Sequence, residues 1–118
     1  MLKDSTRLDR AFQALADPAR REMLARLATG PATVSELAMP LKMSLPAVMQ
    51  HLRALEASGL IRSEKVGRVR TCRLNPGVLA AAEQWIVDRR SDWEKRHDRL
   101  EEYVMTLKDK EKEDDRQA

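Results

Sequence analysis

The sequence is poor in the residue types that mark several common protein classes. Its single cysteine, Cys72, excludes an intramolecular disulfide. No stretch approaches the roughly 20 consecutive apolar residues of a membrane-spanning helix, and the N-terminus has no apolar run of signal-peptide length. We therefore expect a cytoplasmic protein with no membrane partner.

Residue types that carry catalysis or bind metals are also scarce. The chain has two histidines, no phosphate-binding glycine loop and no evident pairing of a nucleophile with a base. A zinc site needs three or four good ligands, which this composition does not supply. The sequence predicts a protein that is not an enzyme, needs no cofactor and holds no metal.

Aromatic residues make up 3% of the 118 residues, whereas charged residues make up 35%. A core built from this sequence must be aliphatic, and the chain length allows one domain. Net charge is +3, but residues 44–75 carry +4 and residues 76–118 carry −3. The basic middle of the chain suits a polyanion partner, and the acidic end suits a different role.

Apolar spacing predicts two helices in the first part of the chain. Leu8, Ala11, Phe12 and Leu15 recur at helical intervals within residues 5–15. Asp17 can cap a second helix that starts at Pro18, has Met23, Leu24 and Leu27 on its inner face, and ends at Gly30. Arg20 and Arg21 near its start have either an acidic or phosphate partner or, as we favour, only solvent.

Two short helices in close succession follow. Thr33 and Glu36 have capping-box spacing, and Pro40 limits the length of the helix that they begin. A few residues later, Ser44 can cap a helix that spans residues 44–59 and stops at Gly59. Two short helices with so tight a connection are typical of a helix-turn-helix.

The helix over residues 44–59 has two unlike faces. Val48, Leu52 and Leu55 form an apolar inner face. The opposite, outward face consists of Pro46, Gln50, Arg53 and Ala57. A small, polar, cationic face of this kind suits a helix that reads the major groove of DNA, although an ordinary amphipathic helix has the same pattern.

A β-hairpin is predicted next, from residues 60–66 and 69–74 separated by Gly67 and Arg68. Lys65, Arg68 and Arg70 surround its tip, where the only acid is Glu64. A cationic hairpin beside a helix-turn-helix is a wing that can bind phosphates, and the alternative is a solvated charged hairpin.

The last part of the chain predicts one long helix over residues 78–107, without glycine or proline. An apolar row recurs in it every seven residues: Leu79, Ile86, Trp93, Leu100 and Leu107. Such a helix would be about 45 Å long, more than a small domain can cover. We therefore favour a homodimer over folding back onto the same chain. The predicted dimer interface consists of Leu8, Phe12, Leu79, Trp85, Ile86, Trp93, Leu100 and Val104. Residues 1–107 form the predicted DNA-binding and dimerisation domain, and residues 108–118 a charged flexible tail.

Several segments, taken in order, resemble the ArsR/SmtB-like winged helix-turn-helix transcription regulators of prokaryotes. They are Leu15-Ala16-Asp17-Pro18-Ala19-Arg20-Arg21, Val34-Ser35-Glu36-Leu37-Ala38, Met43-Ser44-Leu45-Pro46-Ala47-Val48, Gln50-His51-Leu52, Leu55-Glu56-Ala57-Ser58-Gly59-Leu60-Ile61 and Gly67-Arg68. The resemblance runs from about residue 10 to about residue 80. It implies a mainly α fold with a small β-hairpin, and a homodimer that binds an inverted-repeat operator and usually represses.

Some positions depart from the metal-sensing members of that family. The third helix has Val34-Ser35-Glu36-Leu37-Ala38 where a Cys-x-Cys motif would stand, and the last helix offers only His97. With Trp85, Trp93 and the long last helix, the chain resembles the metal-free branch more than the metal-sensing members, and the sequence identifies no inducer. We expect Cys72 to serve packing and His51 to make a core or interhelix hydrogen bond.

Our first hypothesis is a dimeric repressor that binds double-stranded DNA through its recognition helix and wing. The predicted helix contacts are Ser44, Pro46, Ala47, Met49, Gln50 and Arg53, and the predicted wing contacts are Lys65, Arg68 and Arg70. Gln50 would read adenine, and Arg53 guanine or a phosphate. Met49 stands where relatives commonly have serine and could touch a thymine methyl. The alternative is a winged-helix module that binds another protein and does not read DNA.

Overall fold

The computed structural model describes the backbone from Leu2 to Gln117 and the side chains from Thr6 to Arg116. The α-helices are α1 (Leu2–Leu15), α2 (Pro18–Leu27), α3 (Val34–Ala38), α4 (Leu45–Ala57) and α5 (Pro76–Gln117), with a 3-10 turn over Met39–Leu41 after α3. The strands are β1 (Ala32–Thr33), β2 (Ile61–Val66) and β3 (Val69–Leu74). The predicted fold class is confirmed: a winged helix-turn-helix, mainly helical, with a small hairpin and a long C-terminal helix.

The chain divides into two compact units, of which the first ends at Glu83 and the second begins at Gln84. The first unit has one aliphatic core, formed by α1 to α4 and the sheet. Met23, Leu24 and Leu27 of α2 lie in it, as their spacing predicts. Ala11 and Ala14 of α1 are also buried, and their small size permits a close helix approach.

Polar side chains cap the helices of the first unit where the sequence predicts. The carboxylate of Asp17 accepts hydrogen bonds from the backbone N–H groups of Ala19 at 2.8 Å and Arg20 at 3.2 Å. Thr33 Oγ1 accepts the Glu36 N–H at 3.2 Å. The Glu36 carboxylate accepts the Thr33 hydroxyl and pairs with Arg26 at 3.3 Å. These bonds fix the starts of α2 and α3.

The sheet has one strand more than the predicted hairpin. β1 pairs antiparallel with β3, with Ala32 opposite Cys72 and Thr33 opposite Thr71, so the strand order is β1-β3-β2. Two residues are too few to show the alternation that identifies a strand in sequence. Their pairing joins the start of α3 to the middle of β3.

The long helix α5 runs further than predicted at both ends. The predicted helix end at Leu107 is wrong, because α5 continues to Gln117. Lysine and glutamate favour helix formation, opposite charges recur three or four residues apart, and the segment has no proline or glycine. Ala118 lies outside the described residues, and the flexibility of residues 108–118 stays a prediction.

Side chains of the second unit interact mainly along the helix itself. The guanidinium of Arg89 lies 5.3 Å from the ring centre of Trp85, and the rings of Trp93 and His97 stack with centres 5.2 Å apart. Exposed ion pairs, such as Arg89 with Asp92 at 3.5 Å, support the helix only weakly. Across the described residues, no helix is both long and apolar enough to cross a membrane.

Candidate nucleic-acid interface

The predicted recognition helix, α4, is fixed at both of its ends. At the start, Ser44 Oγ accepts the Ala47 N–H at 3.3 Å, and Pro46 lies in the first turn, where its missing N–H has no partner to lose. At the end, the Gly59 N–H donates to the Glu56 carbonyl at 3.0 Å and the Leu60 N–H to the Leu55 carbonyl at 3.1 Å. These two bonds form a Schellman motif, which requires the positive φ that Gly59 adopts, +81°.

The two predicted faces of α4 are separated as the sequence indicates. Val48, Leu52 and Leu55 are buried in the core of the first unit. Solvent covers the other side, where Ser44, Pro46, Gln50 and Arg53 are exposed, while Ala47 and Met49 are half-buried. The six predicted helix contacts therefore include four that solvent reaches freely.

A tight turn sets α3 against α4. The 3-10 turn ends at Lys42, whose φ of 51° is left-handed and unusual for a residue other than glycine. α3 packs on α4, so the short helix holds the recognition helix while the outward face of α4 stays open. The arrangement is that of a helix-turn-helix.

His51 and Arg20 form a hydrogen bond between α4 and α2. Arg20 Nε donates to His51 Nδ1 at 3.1 Å, which requires that this ring nitrogen carry no proton. The expected interhelix hydrogen bond of His51 is therefore confirmed. The preference for solvent as the only partner of Arg20 and Arg21 is wrong, because Arg21 Nη1 also donates, to the Leu15 carbonyl at 2.7 Å.

The same region lowers the pKa of Asp17. The chief cause is the backbone N–H of Arg20, which donates to the carboxylate, and the backbone N–H of Ala19 and the guanidinium charge of Arg20 act in the same direction. Asp17 therefore stays ionised and holds the first turn of α2, from which Arg20 reaches the recognition helix.

The wing carries its cations around a tight turn. Val66 and Val69 are opposite each other, and Gly67 and Arg68 connect them with φ positive only at Gly67, at 63°. That pattern fits a type II′ turn, which needs glycine at its first central position. Lys65 and Arg68 are exposed, as DNA contacts must be.

Arg70 differs from the other two predicted wing residues because it is half-buried and already bonded. Its Nη1 donates to Ser63 Oγ at 2.8 Å, and the Ser63 hydroxyl donates to Glu56 Oε1 at 3.0 Å. This chain of bonds ties β3 and β2 to the last turns of α4. A guanidinium has five N–H donors, so Arg70 keeps capacity for a phosphate.

Two further wing cations carry no contact role in the sequence prediction. Arg62 and Arg73 are exposed and directly opposite each other across β2 and β3. Like charges in such a pair are destabilising unless an anion lies nearby. The strand register reveals this pair, and the two-residue turn at Gly67 and Arg68, which sets that register, could have predicted it.

A groove of about 550 Å³ lies between the start of α4, the start of α3 and the wing. Its lining residues are Thr33, Val34, Ser35, Leu45, Met49, Lys65, Arg68, Val69 and Arg70. We call it the wing groove. None of these lining residues is acidic, and all three predicted wing cations are among them. Leu45, 56% exposed, is a lining residue that sequence reasoning missed.

The predicted dimer residues fall into two groups by exposure. Leu8 and Phe12 of α1 are half-buried, as is Leu79, which packs against the core of the first unit. The others, all on α5, are exposed: Trp85, Ile86, Trp93, Leu100 and Val104. Their role at an interface stays a prediction.

Cys72 lies at the centre of β3 and is fully buried. Burial is the chief cause that raises the pKa of its thiol, and the nearby Glu56 adds to the effect. A buried, neutral thiol serves packing, as expected from the sequence. Among the described residues, no three histidine, cysteine, aspartate or glutamate side chains cluster as a metal site would require.

Taken together, the capped helix, the tight turn and the cationic hairpin define the class of the protein as winged helix-turn-helix. A family model described as a helix-turn-helix domain matches residues 15–64. The HTH-type transcriptional regulator Rv2034 of Mycobacterium tuberculosis is 49% identical over 73 residues, which cover 62% of this chain and 68% of that protein. The transcriptional repressor SdpR of Bacillus subtilis is 28% identical over 81 residues, 69% of this chain and 90% of that protein.

Solved structures agree with these relatives. An ArsR family transcriptional regulator, RHA00566, is similar with a TM-score of 0.73 and 51% identity over 76% of this chain and 93% of that one. The homodimeric winged helix-turn-helix domain of Mb0332 from Mycobacterium bovis has a TM-score of 0.58 and 27% identity, covering 81% and 85% of the two chains. The protein belongs to the ArsR family of transcriptional regulators.

Proposed function

We propose that the protein is a homodimeric repressor that binds an inverted-repeat operator, with one recognition helix in each half-site. The observation that carries this proposal is the surface formed by the outward face of α4 and the wing groove. Gln50, Arg53, Lys65 and Arg68 are exposed on it. A surface with polar groups for base edges, cations for phosphates and no acid in its groove suits DNA.

The two parts of this surface have different roles. Gln50 can form two hydrogen bonds with adenine, and Arg53 can do so with guanine or bind a phosphate, so both contribute to sequence preference. Ser44, Pro46, Ala47 and Met49 lie close to the bases or the backbone. Lys65, Arg68 and Arg70 bind phosphates, which carry no sequence information directly.

Dimerisation follows from the apolar residues of α5. Trp93 and Leu100 are 63% and 59% exposed, and tryptophan and leucine this exposed at helical spacing are typical of an interface. Mb0332, a similar protein, is homodimeric. Two copies joined through α5 and α1 would present two recognition helices, which an inverted repeat requires.

Repression follows from the family and from SdpR, which is a transcriptional repressor. Bound to an operator that overlaps a promoter, the dimer would exclude the polymerase, and the promoter of its own gene is one candidate. A reporter driven by that promoter should be repressed when the protein is present. Increased transcription would show an activator instead.

The test of DNA reading is selection from random duplexes with the full chain, together with the DNA upstream of its own gene, followed by fluorescence anisotropy. We expect an enriched inverted repeat whose affinity falls steeply with salt. Gln50→Ala and Arg53→Ala should each change the selected sequence. Arg68→Ala should weaken all sequences alike and reduce the salt slope by about one unit.

The matched control is Arg116→Ala, which removes an exposed arginine from the last turn of α5. It should leave both the selected sequence and the salt slope unchanged. Salt-insensitive binding, or no enriched sequence, would contradict the proposal. The exposed apolar residues of α5 would then favour the second candidate, a module that binds another protein.

A further inference from the structure

We infer that Leu45 and Met49 form a small apolar surface, here called the step, that contacts the C5-methyl group of a thymine in each operator half-site. The inference rests on the proposed function, because it names part of the sequence that the recognition helix selects. It adds Leu45 to the contacts predicted from the sequence. It also assigns to both residues a preference for the methyl group of thymine, whereas Gln50 and Arg53 form hydrogen bonds.

The position of the two residues supports a joint contact. They are four residues apart on α4, so their side chains are neighbours on one face, with Cβ atoms roughly 5–6 Å apart. Both line the wing groove. Stacked bases of one strand are about 3.4 Å apart, so the step spans one to two bases.

The chemistry of the step admits one kind of base edge. Leucine has no hydrogen-bonding group in its side chain, and the methionine thioether is only a weak acceptor. Among the base edges in the major groove, thymine alone offers a methyl group. A flexible methionine beside a leucine can adapt to that methyl.

The cations of the wing groove argue for DNA as its occupant. Lys65, Arg68 and Arg70 line the groove together with the step, and no acid does. A ligand that suits the whole groove must combine negative charge with apolar groups. A DNA strand does so, because its phosphates can lie on the wing while a thymine methyl packs on Leu45.

The experiment replaces thymine by deoxyuracil, one position at a time, in the operator selected with the full chain. Uracil keeps every hydrogen-bonding group and lacks only the methyl. At one or two thymines in each half-site, we expect affinity to fall about threefold to fourfold, the effect of one buried methyl group. The loss should shrink in Leu45→Ala or Met49→Ala, because the methyl then has no partner.

Met39→Ala is the matched control. Met39 is 81% exposed and does not line the wing groove, so the variant removes an exposed apolar side chain and should keep the full uracil effect. Circular dichroism melting of each variant shows whether it is folded. An enriched operator without any uracil effect would overturn this inference alone, whereas no enriched operator would overturn the proposed function and this inference with it.

Discussion

The two units of the chain treat the same kinds of side chain in opposite ways. In the first unit, many large aliphatic residues are buried by their own chain, as Leu55 is, at 0% exposure. In the second unit, Ile86, Trp93 and Leu100 lie mostly in solvent. The first unit therefore carries its own stabilisation, whereas the apolar surface of the second unit gains free energy only by burial against something else.

The largest expected effect concerns the buried core of the first unit. Leu55→Ala removes a fully buried side chain at the centre of the core and should lower the free energy of unfolding by about 2–5 kcal/mol. Urea denaturation followed by circular dichroism measures it. The loss should not depend on protein concentration, because Leu55 needs no second chain to be buried.

The matched change in the second unit is Leu100→Ala, which removes the same atoms from an exposed position. Under conditions that keep the chain monomeric, it should change the free energy of unfolding by less than about 0.5 kcal/mol. An equal loss in both variants would show that the two units do not differ as described.

The next largest effect tests whether a second copy of the chain packs on the exposed apolar residues of α5. Trp93→Asp places a charge in the proposed dimer interface and should raise the dimer dissociation constant roughly 100-fold, with operator affinity falling as a consequence. Sedimentation velocity measures the oligomeric state. Lys112→Asp is the control, since it places the same carboxylate side chain on α5 outside the apolar row and should leave the dimer intact. A dimer that survives Trp93→Asp would contradict the interface.

A smaller effect is the difference in stability cost between alanine substitutions at two glycines that both have positive φ. Gly59→Ala should cost about 2 kcal/mol or more, because alanine is strained at φ +81° and its Cβ would lie 2.9 Å from Val78 Cγ2. Gly67→Ala has only the backbone strain, with nothing within 4 Å, and should cost about 1 kcal/mol. Thermal melting distinguishes them. Equal costs would mean that Val78 moves aside freely.

The smallest effect concerns the cap of α2 and its pH dependence. Because the folded state lowers the pKa of Asp17, its contribution is present at neutral pH and is lost as the pH falls below 3.8. Asp17→Asn keeps a good cap but does not titrate. The wild type should be slightly more stable at pH 7, and the difference should vanish in acid. Urea midpoints across this pH range measure the difference in stability. A difference that grows in acid would contradict its attribution to the lowered pKa of Asp17.

Local signals in the sequence predict much of the fold. The caps at Asp17, Thr33 and Ser44, and the stop at Gly59, depend on neighbouring residues alone, and each forms as predicted. The buried faces of α2 and α4 follow from periodicity over one short helix. Such signals need no knowledge of the rest of the chain.

Features that depend on distant pairing are not predictable in this way. β1 exists only because Ala32 meets Cys72 across the sheet, and the position of Arg70 depends on hydrogen bonds that run through Ser63 to Glu56 of α4.

The predicted end of α5 is too early for a different reason: the apolar row ends at Leu107, but the charged segment after it has no proline or glycine to stop the helix. Leu45 is not predictable from periodicity, because its helical spacing from Val48 and Leu52 aligns it with the buried face of α4, whereas it is 56% exposed.

The chain of hydrogen bonds from Arg70 through Ser63 to Glu56 has a consequence for how DNA is bound. It joins the wing to the recognition helix in the free protein, so their spacing is set before any ligand arrives. The entropy of ordering the wing is then lost during folding and not during binding, which is preorganisation. In the proposed complex with DNA, Ser63 would therefore raise affinity by holding the wing in place before binding.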